Sequence, residues 1–71
     1  MDEKKFLALV IKKVFDGAEV AMDTRLEDIE EWDSLAIVEF LGTADTDFGR
    51  NLNPVDVQLA ETVRDLYDLL Q

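Results

Sequence analysis

The chain has 71 residues, 17 acidic and 7 basic side chains, a formal net charge of −10, and neither cysteine nor histidine. Residues 1–71 make a single domain near the lower size limit for a self-sufficient core, which favours a binding or carrier module over an independent enzyme with a deep cleft. Lacking Cys and His, it has no disulfides, thiolate metal sites, imidazole bases or usual nucleophilic triads, while its negative field repels nucleic acid and anionic membranes and steers toward basic protein surfaces.

The first helical segment opens at Asp2 or Glu3 and is predicted to run to about Phe15. Phe6, Val10 and Val14 recur at helical spacing, Leu7 and Ile11 lie on the adjoining stripe, and Lys4, Lys5, Lys12 and Lys13 fall outside it. Gly17 supplies the stop. The apolar run from Phe6 to Ile11 is too short for a secretory core or a bilayer span, so the expectation is a cytoplasmic chain without stable membrane insertion. Periodicity lapses from Gly17 to Asp33. The prediction there is a long loop with one irregular turn, begun by Asp23-Thr24 near Leu26 and held to the core by Val20, Leu26 and Ile29.

A second helix starts at Asp33 or Ser34 and extends toward Phe48. Asp33 suits the N-cap, because its carboxylate can accept an amide hydrogen bond that the first turn leaves free. Val38, Leu41 and Ala44 carry one apolar side, which Ile37, Phe40 and Phe48 widen; Phe40 and Phe48 are read as core aromatics. Gly42 weakens the helix by about 1 kcal/mol relative to Ala without forbidding it, and Gly49 ends it. Pro54 then opens a short helix, although Val55, Val57 and Leu59 also allow a brief strand. After a break at Ala60-Glu61-Thr62, Thr62 caps a last helix in which Val63, Leu66, Tyr67 and Leu70 give the i, i+3, i+4, i+7 pattern. The fold class is all-α: a small four-helix bundle of three principal helices and one short one.

Ser34 has no base to activate it. Asp33 is a weak base in an acidic, exposed setting, and neither a relay nor an oxyanion site is suggested, so no catalytic residue is assigned. On its residues alone, Asp33-Ser34 reads as the start of a helix. Glu27, Asp28, Glu30, Glu31, Asp33 and Glu39 form either a solvated acidic face or a steering field for a basic enzyme. Asp45 and Asp47 lack metal-loop spacing, so no metal site is assigned. The dispersed Lys12, Lys13, Arg25, Arg50 and Arg64 define no nucleic-acid patch. Trp32 is read as an anchor for the loop, and Tyr67 as a residue at the edge of the core.

Asp33-Ser34-Leu35, then Val38-Glu39 in the following helix, Phe48-Gly49 at its end and Thr62-Val63 before the last one form a pattern. With the length and the acidic balance, the chain resembles a freestanding acyl carrier protein over nearly its full length. The resemblance implies an acyl-carrier-like bundle and a monomeric, non-catalytic carrier. A separate phosphopantetheinyl transferase would attach 4′-phosphopantetheine from coenzyme A to Ser34. Acyl-activating, acyl-transfer or condensing enzymes, as in fatty acid or polyketide biosynthesis, would then work on the arm. In that motif Asp33 is the helix cap and Leu35 belongs to an exposed recognition surface, while Val38 and Phe40 point inward. Glu39, Glu31 and Ile37 are the candidate partner contacts. Glu30-Glu31-Trp32 replaces the Leu-Gly pair that carriers commonly have before the serine, and Gly42 stands where an apolar contact residue is frequent. Both differences bear on the choice of partner. The competing expectation is an acidic, non-catalytic interaction module without a prosthetic group.

Overall fold

Four helices follow one another in the computed structural model, which describes residues 2–71: α1 (Glu3–Lys13), α2 (Ser34–Phe48), α3 (Pro54–Leu59) and α4 (Val63–Leu69). Among the described residues there is no strand, only an isolated antiparallel bridge between Arg25 and Thr62. Each helix begins on a side chain that accepts an otherwise free amide. Asp2 accepts from the Lys5 N–H at 2.8 Å, Asp33 from Ala36 at 2.9 Å, Asn53 from Val55 at 2.9 Å and Thr62 from Asp65 at 3.2 Å. The Thr62 cap is reciprocal, since the Asp65 carboxylate accepts from the Thr62 N–H at 3.1 Å and the Glu61 N–H at 2.9 Å.

Gly49 closes α2 in the left-handed conformation, φ 65°, which a side chain would oppose. Helix α1 stops at Lys13, short of the predicted Phe15. The chain turns out through Asp16 and Gly17, both at positive φ, and Val14 and Phe15 stay buried in that turn. The long loop carries its irregular turn as one 3-10 turn, Leu26–Asp28, which starts after Arg25. Its path is set by main-chain bonds to the start of α4: Leu26 N–H to Glu61 O at 2.9 Å, Val63 N–H to Thr24 O at 3.1 Å and Arg64 N–H to Met22 O at 2.8 Å. The brief strand at Val55–Leu59 is not formed; the segment is α3, with Pro54 in its first turn.

Phe6, Val10, Phe15, Phe40, Val57, Val63 and Leu66 are fully buried, each worth roughly 1.5–3 kcal/mol by removal from water. Phe6 meets Tyr67 edge-on at 5.1 Å and Phe48 at 6.4 Å, whereas Trp32 lies 5.8 Å from Phe15 and 6.4 Å from Phe40. The start of α1 is thus beside the end of α2, and the turn after α1 is beside the loop before α2. Ion pairs tie the surface: Lys13 to Asp47 at 2.8 Å, and Arg64 to Glu3 at 3.0 Å across α4 and α1.

Val38 does not point inward. It is 62% exposed, while Phe40 is fully buried. Two residues along a helix are about 200° apart, so the pair cannot share the core, and the buried arc Ala36–Phe40–Thr43–Ala44 turns Val38 outward. Leu41 and Phe48 are only partly buried.

Two tests follow from this packing. Phe40→Ala should cost about 3–5 kcal/mol, a large part of the stability of so small a domain, and abolish or sharply lower its cooperative unfolding by calorimetry; a near-native transition would contradict the assigned core. The second concerns acid. The Glu61 amide, then the Thr62 amide, holds the Asp65 carboxyl below its ordinary range, and the Arg64 hydrogen bond does the same for Glu3. Carboxyls depressed on folding stabilise above their unfolded pKa and lose that contribution as pH falls through the folded value. The deficit of Asp65→Ala in urea unfolding should therefore be full at neutral pH and shrink on acidification. A deficit constant into strong acid would contradict the capping role.

Candidate functional site

The entry to α2 sorts its residues by direction. Ile29 is buried and Trp32 packs between Phe15 and Phe40, while Glu27, Asp28, Glu30 and Glu31 are exposed. Asp33 then ends the loop: its carboxylate accepts from the Ala36 N–H at 2.9 Å and its main-chain oxygen from the Ile37 N–H at 3.0 Å. Ser34 is the first residue of α2 and is exposed. Its hydroxyl and the main-chain amides of Ser34 and Leu35 make no hydrogen bond among the described residues.

A census of the aliphatic hydroxyls isolates that group. The sequence holds one serine and four threonines. Thr24 accepts from the Ala21 N–H at 2.8 Å, Thr46 donates to the Gly42 carbonyl at 2.9 Å, Thr62 caps α4, and Thr43 is buried at 7% exposure. Ser34 alone among them is both exposed and uncommitted.

Of the residues singled out in the sequence, Leu35 is 66% exposed one residue beyond Ser34, and Glu31 and Glu39 are exposed without an ion pair. Ile37 is not brought into this group. It is partly buried against the core, and a step of two residues turns it nearly to the opposite side of α2 from Leu35. Beside the site an open cleft of about 430 Å³ runs between the end of α1 and the start of α2. Lys12 and Lys13 line one wall, and Glu31, Asp33, Leu35 and Glu39 the other. Lys13 is engaged by Asp47, whereas Lys12 has no partner among the described residues.

The chain has no imidazole or thiol to activate the serine, and no group of three or more His, Cys, Asp or Glu among the described residues could hold a metal ion. Nor is any helix among them long and apolar enough to cross a membrane. The outward turn of Val38, the burial of Thr43 and the cleft beside Lys12 were missed in the sequence. Only the two-residue step between Val38 and the core Phe40 carried a signal for the first of these. In comparisons with known proteins, no family model, no curated protein and no solved structure matches the chain.

Removing the uncommitted hydroxyl should leave the fold untouched. Ser34→Ala is expected to unfold within about 0.5 kcal/mol of the wild-type chain. Asp33→Ala, which loses the cap, should be about 1 kcal/mol less stable and melt about 4–8 °C lower. Thermal melts giving the reverse order would contradict the assignment of cap and exposed serine.

Proposed function

We propose that the chain is a carrier protein of the acyl carrier type, which presents acyl groups on a 4′-phosphopantetheine arm attached to Ser34. The observation that carries this reading is the exposed, unbonded Ser34 hydroxyl at the first residue of α2, on a chain whose threonine hydroxyls are bonded or buried. The resemblance of Asp33-Ser34-Leu35, Val38-Glu39, Phe48-Gly49 and Thr62-Val63 to that family supplies the chemical identity of the arm.

The residues fit such a group. Attachment requires an accessible oxygen, and Ser34 supplies one with no internal bond to break. The unbonded Ser34 and Leu35 amides and the helix dipole favour the phosphodiester, which the Asp33 carboxylate opposes. With no base of its own at the hydroxyl, the chain relies on a separate transferase. The Ser34 oxygen forms its bond to phosphorus as the adenosine 3′,5′-bisphosphate portion of coenzyme A departs, and the hydroxyl proton passes to a base on that enzyme. When bound, the arm supplies the thiol that the polypeptide lacks, and an acyl group held there as a thioester is activated toward transfer or condensation. The exposed carboxylates Glu31 and Glu39 would steer basic processing enzymes to the serine, and Leu35 would meet them as an apolar contact.

Incubation with coenzyme A, magnesium and a competent phosphopantetheinyl transferase should add about 340 Da to the intact mass, a covalent modification that must be identified directly. Ser34→Ala should fold and stay unmodified. Loading that survives Ser34→Ala, or a folded wild-type chain that several competent transferases leave unloaded, would overturn the reading; the second result would favour the acidic interaction module. Charge reversal by Glu31→Lys with Glu39→Lys should slow loading most at low salt, because screening weakens steering as ionic strength rises. Equal low-salt rates in a folded variant would remove these two acids from the contact.

A further inference from the structure

The cleft beside Ser34, about 430 Å³, falls in the range of roughly 300–1,000 Å³ that small-molecule sites occupy. Asp33 and Leu35, the residues on either side of Ser34, both line it, so a group attached at Ser34 leaves the chain beside its mouth. Val14 and Ala36, both buried, give the cleft an apolar floor. Its rims are polar and of two kinds: Asp16 and Glu31 offer exposed acceptors, and Lys12 an exposed donor. The other cations are engaged elsewhere or lie outside the cleft. Lys13 is taken by Asp47, Arg25 by Glu27, Arg64 by Glu3 and Arg50 by the main-chain oxygen of Gln71. Lys12 lines the cleft with no partner among the described residues.

That lining selects a kind of ligand. A hydrocarbon chain laid in the cleft would cover the ammonium and the carboxylates without giving them partners. A free anion would meet more carboxylates than ammonium groups. A neutral chain in which amides alternate with short apolar stretches satisfies every wall. Its N–H groups donate to Asp16 or Glu31, its carbonyls accept from Lys12, and its methyl groups cover Val14 and Ala36. The pantetheine part of the arm is such a chain, with two amides, a hydroxyl and a pair of methyl groups between phosphate and thiol. Because the arm is tethered at Ser34, it meets the cleft at the high effective concentration of an intramolecular ligand, so a few exposed bonds suffice to hold it.

We propose that the cleft between the end of α1 and the start of α2 seats the pantetheine part of the arm, with the Lys12 ammonium donating to an amide carbonyl and the phosphodiester left outside at the start of α2. Lys12 is thus a positioning residue for the arm, which rests against the chain between encounters with its enzymes. This rests on Ser34 being the loaded residue.

NMR spectra of the apo chain and of the chain loaded from coenzyme A by the transferase test it. Loading should shift the amides of Lys12, Val14 and Asp16, far from Ser34 in sequence, and NOEs should join the methyl groups of the arm to Val14 and Ala36. Lys12→Met keeps most of the side-chain stem and removes the charge. It should reduce the loading shifts at Val14 and Asp16 by about half, through loss of one charge-assisted bond among several contacts. Lys5→Met makes the same change at an exposed position of α1 outside the cleft and should leave those shifts as in the wild-type chain. Both apo variants should melt with the wild-type chain, because neither ammonium has a partner among the described residues. Loading shifts confined to residues 33–38, NOEs from the arm to Val55 or Leu59 of α3 in place of Val14, or equal effects of the two lysine variants would overturn the seat while leaving Ser34 loading intact. A folded wild-type chain that several competent transferases leave unloaded overturns the carrier reading and this inference together.

Discussion

The hydrogen bond from the Ala36 amide to the Asp33 carboxylate is the constraint on which the site depends. It fixes where an irregular acidic loop becomes a helix, and so which residue is the first to stand on the helix surface. Trp32, on one side of the cap, is drawn inward between Phe15 and Phe40. Ser34, on the other side, is turned out into water. Phe40 lies six residues after Ser34, about 120° around the helix from it, so the register that packs Phe40 on the core turns Ser34 away from it. Packing of Phe40 and exposure of Ser34 are thus two consequences of one register.

Cations are placed so that this exposed end stays negative. Arg64 is spent on Glu3 and Arg50 on the main-chain oxygen of Gln71, while Lys13, which lines the same cleft as Glu31, Asp33 and Glu39, is taken up by Asp47. Arg25 pairs with Glu27 within the loop. Such exposed pairs contribute little stability. Their effect is on the field: they neutralise the flanks and leave the start of α2 with uncompensated acids and only Lys12 as a free cation in the adjoining cleft.

Apart from the end of α1, which falls at Lys13, helix limits were legible in the sequence because their causes are local. Asp33, Thr62, Pro54 and Gly49 act on amides or dihedral angles within a few residues, and the structure uses them at the predicted places. The direction of α2 was only half legible. Leu35, Ile37, Val38, Phe40 and Leu41 are apolar on every side, so hydrophobic pattern alone did not say which arc is buried; contact with α1 and the aromatic cluster decided it. The course of the long loop was legible only through its apolar pins. Its main-chain bonds from Leu26, Val63 and Arg64 join segments far apart in sequence and leave no side-chain signature. For the site, the sequence yielded Ser34, Asp33 and Leu35, but not the isolation of the Ser34 hydroxyl or the cleft beside Lys12, which depend on what lies nearby in three dimensions.

The proposed carrier function rests on one serine hydroxyl, and fragmentation mass spectrometry of the chain recovered after reaction with coenzyme A and transferase reads its modification residue by residue. If Ser34 is the presented group, the fragment series should step by the mass of the arm at Ser34 and at no other position, with Thr24, Thr43, Thr46 and Thr62 unmodified. A step at any threonine, or an unmodified Ser34 in a folded chain, would contradict the central claim.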